Sequence, residues 1–82
     1  MSNKNEFSII VNGEQKTETK QTVNFEEVLS LAFPPPRSIP SKDYSITFKN
    51  AASMPQNGQL DLGNKVEIKN GTIFDVTPTN KS

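Results

Sequence analysis

The chain is 82 residues long, enough for one domain with one modest core. Its nine basic and nine acidic side chains cancel, so bulk charge draws it to neither nucleic acid nor an anionic membrane. Without cysteine or histidine it has no disulfide, no catalytic thiol, no thiolate or imidazole metal site and no general base tuned near neutral pH. No apolar run reaches the length of a membrane span, and the first residues are polar rather than signal-like, which predicts a cytoplasmic protein.

In chain order, residues 1–5 are polar and expected to be a flexible N-terminus. Phe7, Ile9 and Val11 then alternate with Ser8 and Ile10, the period of a half-buried strand. Asn12-Gly13 follows, the strongest short hairpin signal, because a type I′ turn needs positive φ at both central residues. The return strand is expected over residues 15–22. Its threonines and charges suit a sheet edge, where charge discourages pairing with foreign chains.

Helical periodicity occurs in one place. Phe25, Val28, Leu29 and Ala32 fall at i, i+3, i+4 and i+7 and share one stripe. Asn24 is a suitable N-cap with Glu27 three residues on, as in a capping box, and Val23 and Val28 are spaced as a hydrophobic staple. Glu26 and Glu27 place negative charge where the helix dipole favours it. Pro34, Pro35 and Pro36 stop the helix. The proline-rich stretch after it reads as a stiff crossover, since it lacks the spacing of SH3-type ligands.

Tyr44, Ile46 and Phe48 alternate as an inward strand face. Residues 50–58 form a small-residue loop ending in Asn57-Gly58, a turn signal. Leu60 and Leu62 are in phase and lead to a tight turn at Gly63-Asn64, and Val66 and Ile68 form a short strand. Asn70-Gly71 turns the chain into a last strand with Phe74 and Val76 inward and Ile73 and Asp75 outward. The expected core is Phe7, Ile9, Val11, Phe25, Val28, Leu29, Ile46, Phe48, Phe74 and Val76.

A hairpin, a helix and then further strands predict an α+β fold, with the helix as a crossover on one face of a mixed sheet of four to five strands. The first and last strands lie side by side at the centre, which is the β-grasp arrangement. The domain is expected over residues 6–77 and a C-terminal tail over 78–82.

Ile9-Ile10-Val11-Asn12-Gly13, the run from Asn24 to Pro34, Tyr44-Ser45-Ile46-Thr47-Phe48 and the closing run from Gly71 to Ser82 resemble, in this order, the bacterial multiubiquitin domain. Members of that family are encoded beside enzymes that resemble ubiquitin-activating, ubiquitin-conjugating and deubiquitinating proteins. The resemblance therefore implies a ubiquitin-like modifier whose C-terminal carboxylate is activated and joined to a target protein by activating-like and conjugating-like enzymes, with a deubiquitinase-like protease as a third partner. The tail that carries this chemistry would be Thr79, Asn80, Lys81 and Ser82. Ubiquitin ends in Gly-Gly, whereas this chain ends in Lys81-Ser82. The alternative reading is a non-covalent β-grasp interaction module or scaffold with an inert tail.

On the outward sheet face, Ile10 and Ile73 are the strongly apolar residues, and neighbouring parallel strands would bring them together as a partner site. No catalytic constellation is expected. Glu26 and Glu27 are explained as capping residues, and Asp43, Asp61, Glu67 and Asp75 lack the ligand spacing of a calcium loop. The chain is thus expected to be no enzyme, to need no cofactor or metal, and to bind proteins rather than nucleic acid or membrane.

Overall fold

The computed structural model describes residues 6–79. The expected flexible start at residues 1–5 and the tail residues Asn80, Lys81 and Ser82 lie outside them. The chain forms strands β1 (Phe7–Val11), β2 (Glu14–Glu18) and β3 (Thr22–Asn24), then helix α1 (Phe25–Ala32). A 3₁₀ turn (Ser41–Asp43) precedes β4 (Tyr44–Lys49), β5 (Gly58–Leu60), β6 (Lys65–Glu67) and β7 (Ile73–Pro78). Five strands make one mixed sheet in the order β2-β1-β7-β4-β5, with β3 and β6 paired in a separate ribbon. This is the β-grasp, an α+β fold with α1 packed on one face of the sheet. β7 lies at its centre, parallel to β1 and antiparallel to β4.

The local signals act as physical chemistry predicts. Asn12 and Gly13 both have positive φ (53° and 82°), as the hairpin turn requires. The capping box of α1 is complete: Glu27 N–H donates to Asn24 Oδ1 at 2.8 Å, and Asn24 N–H donates to Glu27 Oε1 at 2.9 Å. Phe25, Val28 and Leu29 are buried, with Ala32 packed at the core's edge. At the other end, Phe33 N–H closes on Leu29 O at 2.7 Å. The Arg37 guanidinium donates to Phe33 O, so the residue after the proline run satisfies a carbonyl that the helix leaves unpaired. Phe33 also lies against Tyr44, ring centroids 5.2 Å apart.

Nine of the ten expected core residues are buried; Phe7, at the start of β1, is only partly so. The core also takes in Val23, Tyr44, Ala51, Leu60, Val66 and Ile68. Thr72 is the buried polar member. Its hydroxyl donates to Asn50 O at 2.8 Å and accepts from Lys69 N–H at 3.0 Å, which removes the cost of burying it.

Three local expectations are corrected. The return strand expected over 15–22 stops at Glu18. There the carboxylate accepts from the N–H groups of Thr19 and Lys20 (3.1 and 3.2 Å) and bends the chain out of the sheet. β3 resumes in the other ribbon, where Val23 faces Val66. Leu62 does not continue the inward face of Leu60. β5 ends at Leu60, and Asn64 N–H donates to Asp61 O at 2.9 Å around Gly63 (φ 87°), placing Leu62 in the turn, 48% exposed. Gly58 is no turn residue either. It opens β5 opposite Phe48, and a Cβ there would sit 3.1 Å from the Phe48 ring, so glycine serves close packing at this position.

Candidate functional site

The outward sheet face is set by strand alternation. Ile10 and Ile73 are register partners across the parallel β1–β7 pair, and both are half-buried. Their neighbours in the same row are Gln15 on β2 and Lys49 on β4. The rows toward the C-terminal end are polar: Thr47 stands opposite Asp75, and Ser45 opposite Thr77. The apolar part of this face is therefore one isoleucine pair with a cation beside it, which offers a single anchor rather than a broad patch.

β7 delivers the tail. It runs down the middle of the sheet and ends with Pro78 opposite Tyr44. Thr79 is exposed, and its N–H donates to Asp43 O at 2.7 Å. That bond ties the root of the tail to the 3₁₀ turn. Of the expected tail residues, Asn80, Lys81 and Ser82 lie outside the described residues. The isoleucine pair and Thr79 belong to opposite ends of β7, so the structure does not merge the two expected sites into one.

Two features escaped the sequence reading. Met54 and Leu62 are the exposed large apolar side chains among the described residues (82% and 48%). Met54 lies in the 50–57 loop, beside a groove that includes Phe48, Pro55 and Val66. Leu62 lies by a second groove of about 280 Å³, bounded by Phe25, Tyr44, Leu60, Lys42 and Thr79. A usable signal for Leu62 was present in Asp61-Leu62-Gly63-Asn64, because glycine at the third position of a four-residue turn leaves the second position outside the strand. Met54 carried no comparable signal.

Among the described residues, the one strong electrostatic coupling is structural. Lys20 Nζ pairs with Glu27 Oε2. That hydrogen bond, helped by the Asn24 N–H, holds the Glu27 carboxyl below the usual carboxylate range, and the same bond raises Lys20. Among the described residues, no three acidic side chains gather where a cation would be held. No described helix is long and apolar enough to cross a membrane.

The family model for multiubiquitin matches residues 7–80, from the first residue of β1 to just past Thr79. The chain belongs to the multiubiquitin family. No curated protein and no solved structure matches it. Within this multiubiquitin domain, the matched span takes in every strand of the sheet and the helix.

Proposed function

We propose that this multiubiquitin domain is a bacterial, cytoplasmic ubiquitin-like protein modifier. It is activated at its C-terminal carboxylate, beyond the tail residues Thr79, Asn80, Lys81 and Ser82, and conjugated to target proteins by ubiquitin-activating-like and conjugating-like enzymes, with a deubiquitinase-like protease acting on the product. The observation that carries this reading is the exit of the chain at Thr79. The central strand of a capped, well-packed body ends at Pro78, and the next residue, Thr79, is exposed. In the chemistry this implies, a carboxylate oxygen attacks the α-phosphorus of ATP and pyrophosphate leaves. An enzyme nucleophile then takes the acyl group from the adenylate and AMP departs. The domain contributes the carboxylate and the recognition surface; the partner enzymes contribute the catalytic groups.

A second reading, a non-covalent interaction module, is favoured by one observation: the matched span is followed by Lys81-Ser82 and not by the Gly-Gly that ubiquitin-type activation uses. A bulky charged side chain passes a narrow enzyme channel less readily than glycine. The test incubates the domain with activating-like and conjugating-like enzymes and ATP, with adducts read by intact mass and denaturing gel. The modifier reading expects an enzyme adduct with the natural tail and none when Lys81 and Ser82 are deleted or Ser82 is extended by an uncleavable residue. Equal adducts with a blocked tail exclude Ser82 as the reactive end. No adduct with the natural tail gives the module reading its place.

A further inference from the structure

Three of the four glycines follow an asparagine, in Asn12-Gly13, Asn57-Gly58 and Asn70-Gly71. Such a pair is chemically labile. The glycine backbone nitrogen has no neighbouring side chain to shield it, so it can attack the asparagine Cγ. The fold treats the three pairs differently.

At Asn12 both ends of the side-chain amide are bonded to the backbone of Val76, at 2.7 and 3.0 Å. An amide held at both ends is not free to rotate onto the Gly13 nitrogen. At Asn70 the backbone of Ser8 holds both reacting groups. Ser8 N–H donates to Asn70 Oδ1 at 2.8 Å, and Gly71 N–H donates to Ser8 O at 2.8 Å.

Asn57 has neither protection. It is exposed, and its Oδ1 accepts a single bond, from Asn50 N–H at 3.2 Å, the long end of the usual range. Among the described residues nothing accepts from its Nδ2. Gly58 is also exposed and pairs with Phe48 as the end rung of β5. That strand is three residues long and lies at the sheet edge, where end bonds open at little cost.

We propose that Asn57-Gly58 is a self-modifying site, at which the folded domain converts Asn57 to isoaspartate and aspartate and thereby releases β5 from the sheet. The Gly58 nitrogen forms a bond to Asn57 Cγ. The Cγ–Nδ2 bond breaks, and Nδ2 leaves as ammonia with the proton of the Gly58 amide. Water then opens the cyclic imide. Attack at the backbone carbonyl carbon leaves the chain running through Cγ, as isoaspartate, and attack at Cγ gives aspartate. The reaction needs only this chain and water, so it goes beyond the modifier reading and does not depend on it.

Isoaspartate lengthens the main chain by one carbon immediately before β5 and adds a carboxylate. Gly58 leaves little room for that change, since even a Cβ there would sit 3.1 Å from the Phe48 ring. β5 is held by β4 alone, so the strand gives way before the core does. The register of Gly58, Gln59 and Leu60 on β4 is then lost, and Leu60, 2% exposed in the intact fold, meets solvent.

The experiment ages the full chain in mildly alkaline buffer, folded and in urea. Peptide mapping by mass spectrometry, with fragmentation that separates isoaspartate from aspartate, follows all three pairs. The folded domain is expected to gain mass first at Asn57, with isoaspartate the larger product, while Asn12 and Asn70 stay intact. In urea the three pairs should react at similar rates. Asn57→Gln should abolish the early product and leave the melting temperature unchanged. Folded protein in which Asn12 or Asn70 reacts as early as Asn57, or in which Asn57 stays intact while the urea sample reacts, overturns the site. Amide exchange tests the release of β5: protection at Leu60 should be lost in the isoaspartate fraction. It should be kept in Asn57→Asp, which adds the charge without lengthening the chain. Unchanged protection in the isoaspartate fraction, or equal loss in Asn57→Asp, overturns the release.

Discussion

The side-chain amide of Asn12 is bonded at both ends to the backbone of Val76. Val76 N–H donates to Asn12 Oδ1 at 2.7 Å, and Asn12 Nδ2 donates to Val76 O at 3.0 Å. The two residues are 64 positions apart. Asn12 N–H also donates to Phe74 O at 3.0 Å, so the amide extends the β1–β7 ladder by one rung after β1 has turned away. A residue chosen for positive φ thus also clamps the strand that carries the tail.

Replacing Asn12 by glycine separates these two roles, because glycine keeps the backbone conformation and deletes the amide. Asn12→Gly is expected to cost about 1–3 kcal/mol, the range for two hydrogen bonds one of which leaves a partly buried N–H unpaired. The measurement is a urea melt with an unchanged m-value, joined to amide exchange at Val76. Unchanged protection of that amide would show that the clamp carries no weight.

Leu29 is fully buried on the sheet-facing stripe of α1. Leu29→Ala is expected to destabilise the domain by about 2–5 kcal/mol, a large part of the roughly 5–15 kcal/mol of an ordinary domain. A near-neutral result in a denaturant melt would contradict the packing of this helix face.

Ile73→Asp tests the outward isoleucine pair. Both residues are half-buried on the solvent face, so the charge is expected to leave the melting temperature nearly unchanged. If the pair is a partner site, the charge should sharply weaken binding of that partner protein, read by titration calorimetry. Loss of stability in step with binding would make the pair structural.

The Lys20–Glu27 pair predicts the acid behaviour. The Glu27 carboxyl is depressed in the folded state, chiefly by the Lys20 hydrogen bond and next by the Asn24 N–H. Its contribution is therefore fully present above the unfolded value of about 4.3 and is lost as pH falls through the lower folded value. Lys20, raised mainly by the same bond, contributes below its unfolded value and loses that contribution as pH rises through the higher folded one. Glu27→Gln is expected to flatten the acid arm of the stability profile below about pH 4, and Lys20→Met to flatten it in part. The effect should shrink in high salt, because the pair is solvent-exposed. An acid arm identical to wild type in both variants would show that other carboxylates control it.

What the sequence determined by itself was whatever depends on neighbours within a few residues. The Asn24–Glu27 box, the stripe of Phe25, Val28 and Leu29, the Asn12-Gly13 turn and the inward phases of β1, β4 and β7 all follow from short-range periodicity and local hydrogen bonding. The pairing of Ile10 with Ile73 was legible too, because placing β1 beside β7 sets which residues share a face. Other features lay in relationships that no window of sequence contains. The departure of β3 into a ribbon with β6 needed a second strand with a buried valine to receive Val23. The exposure of Leu62 depended on where β5 stops, and the Asn12–Val76 clamp joins the two ends of the chain. The groove at Thr79 exists because α1, β4, β5 and the end of β7 meet at one pole of the sheet. Tertiary structure decided these because a strand's partner, and hence what lies over a side chain, is chosen by packing across the whole fold rather than by the chain on either side of it.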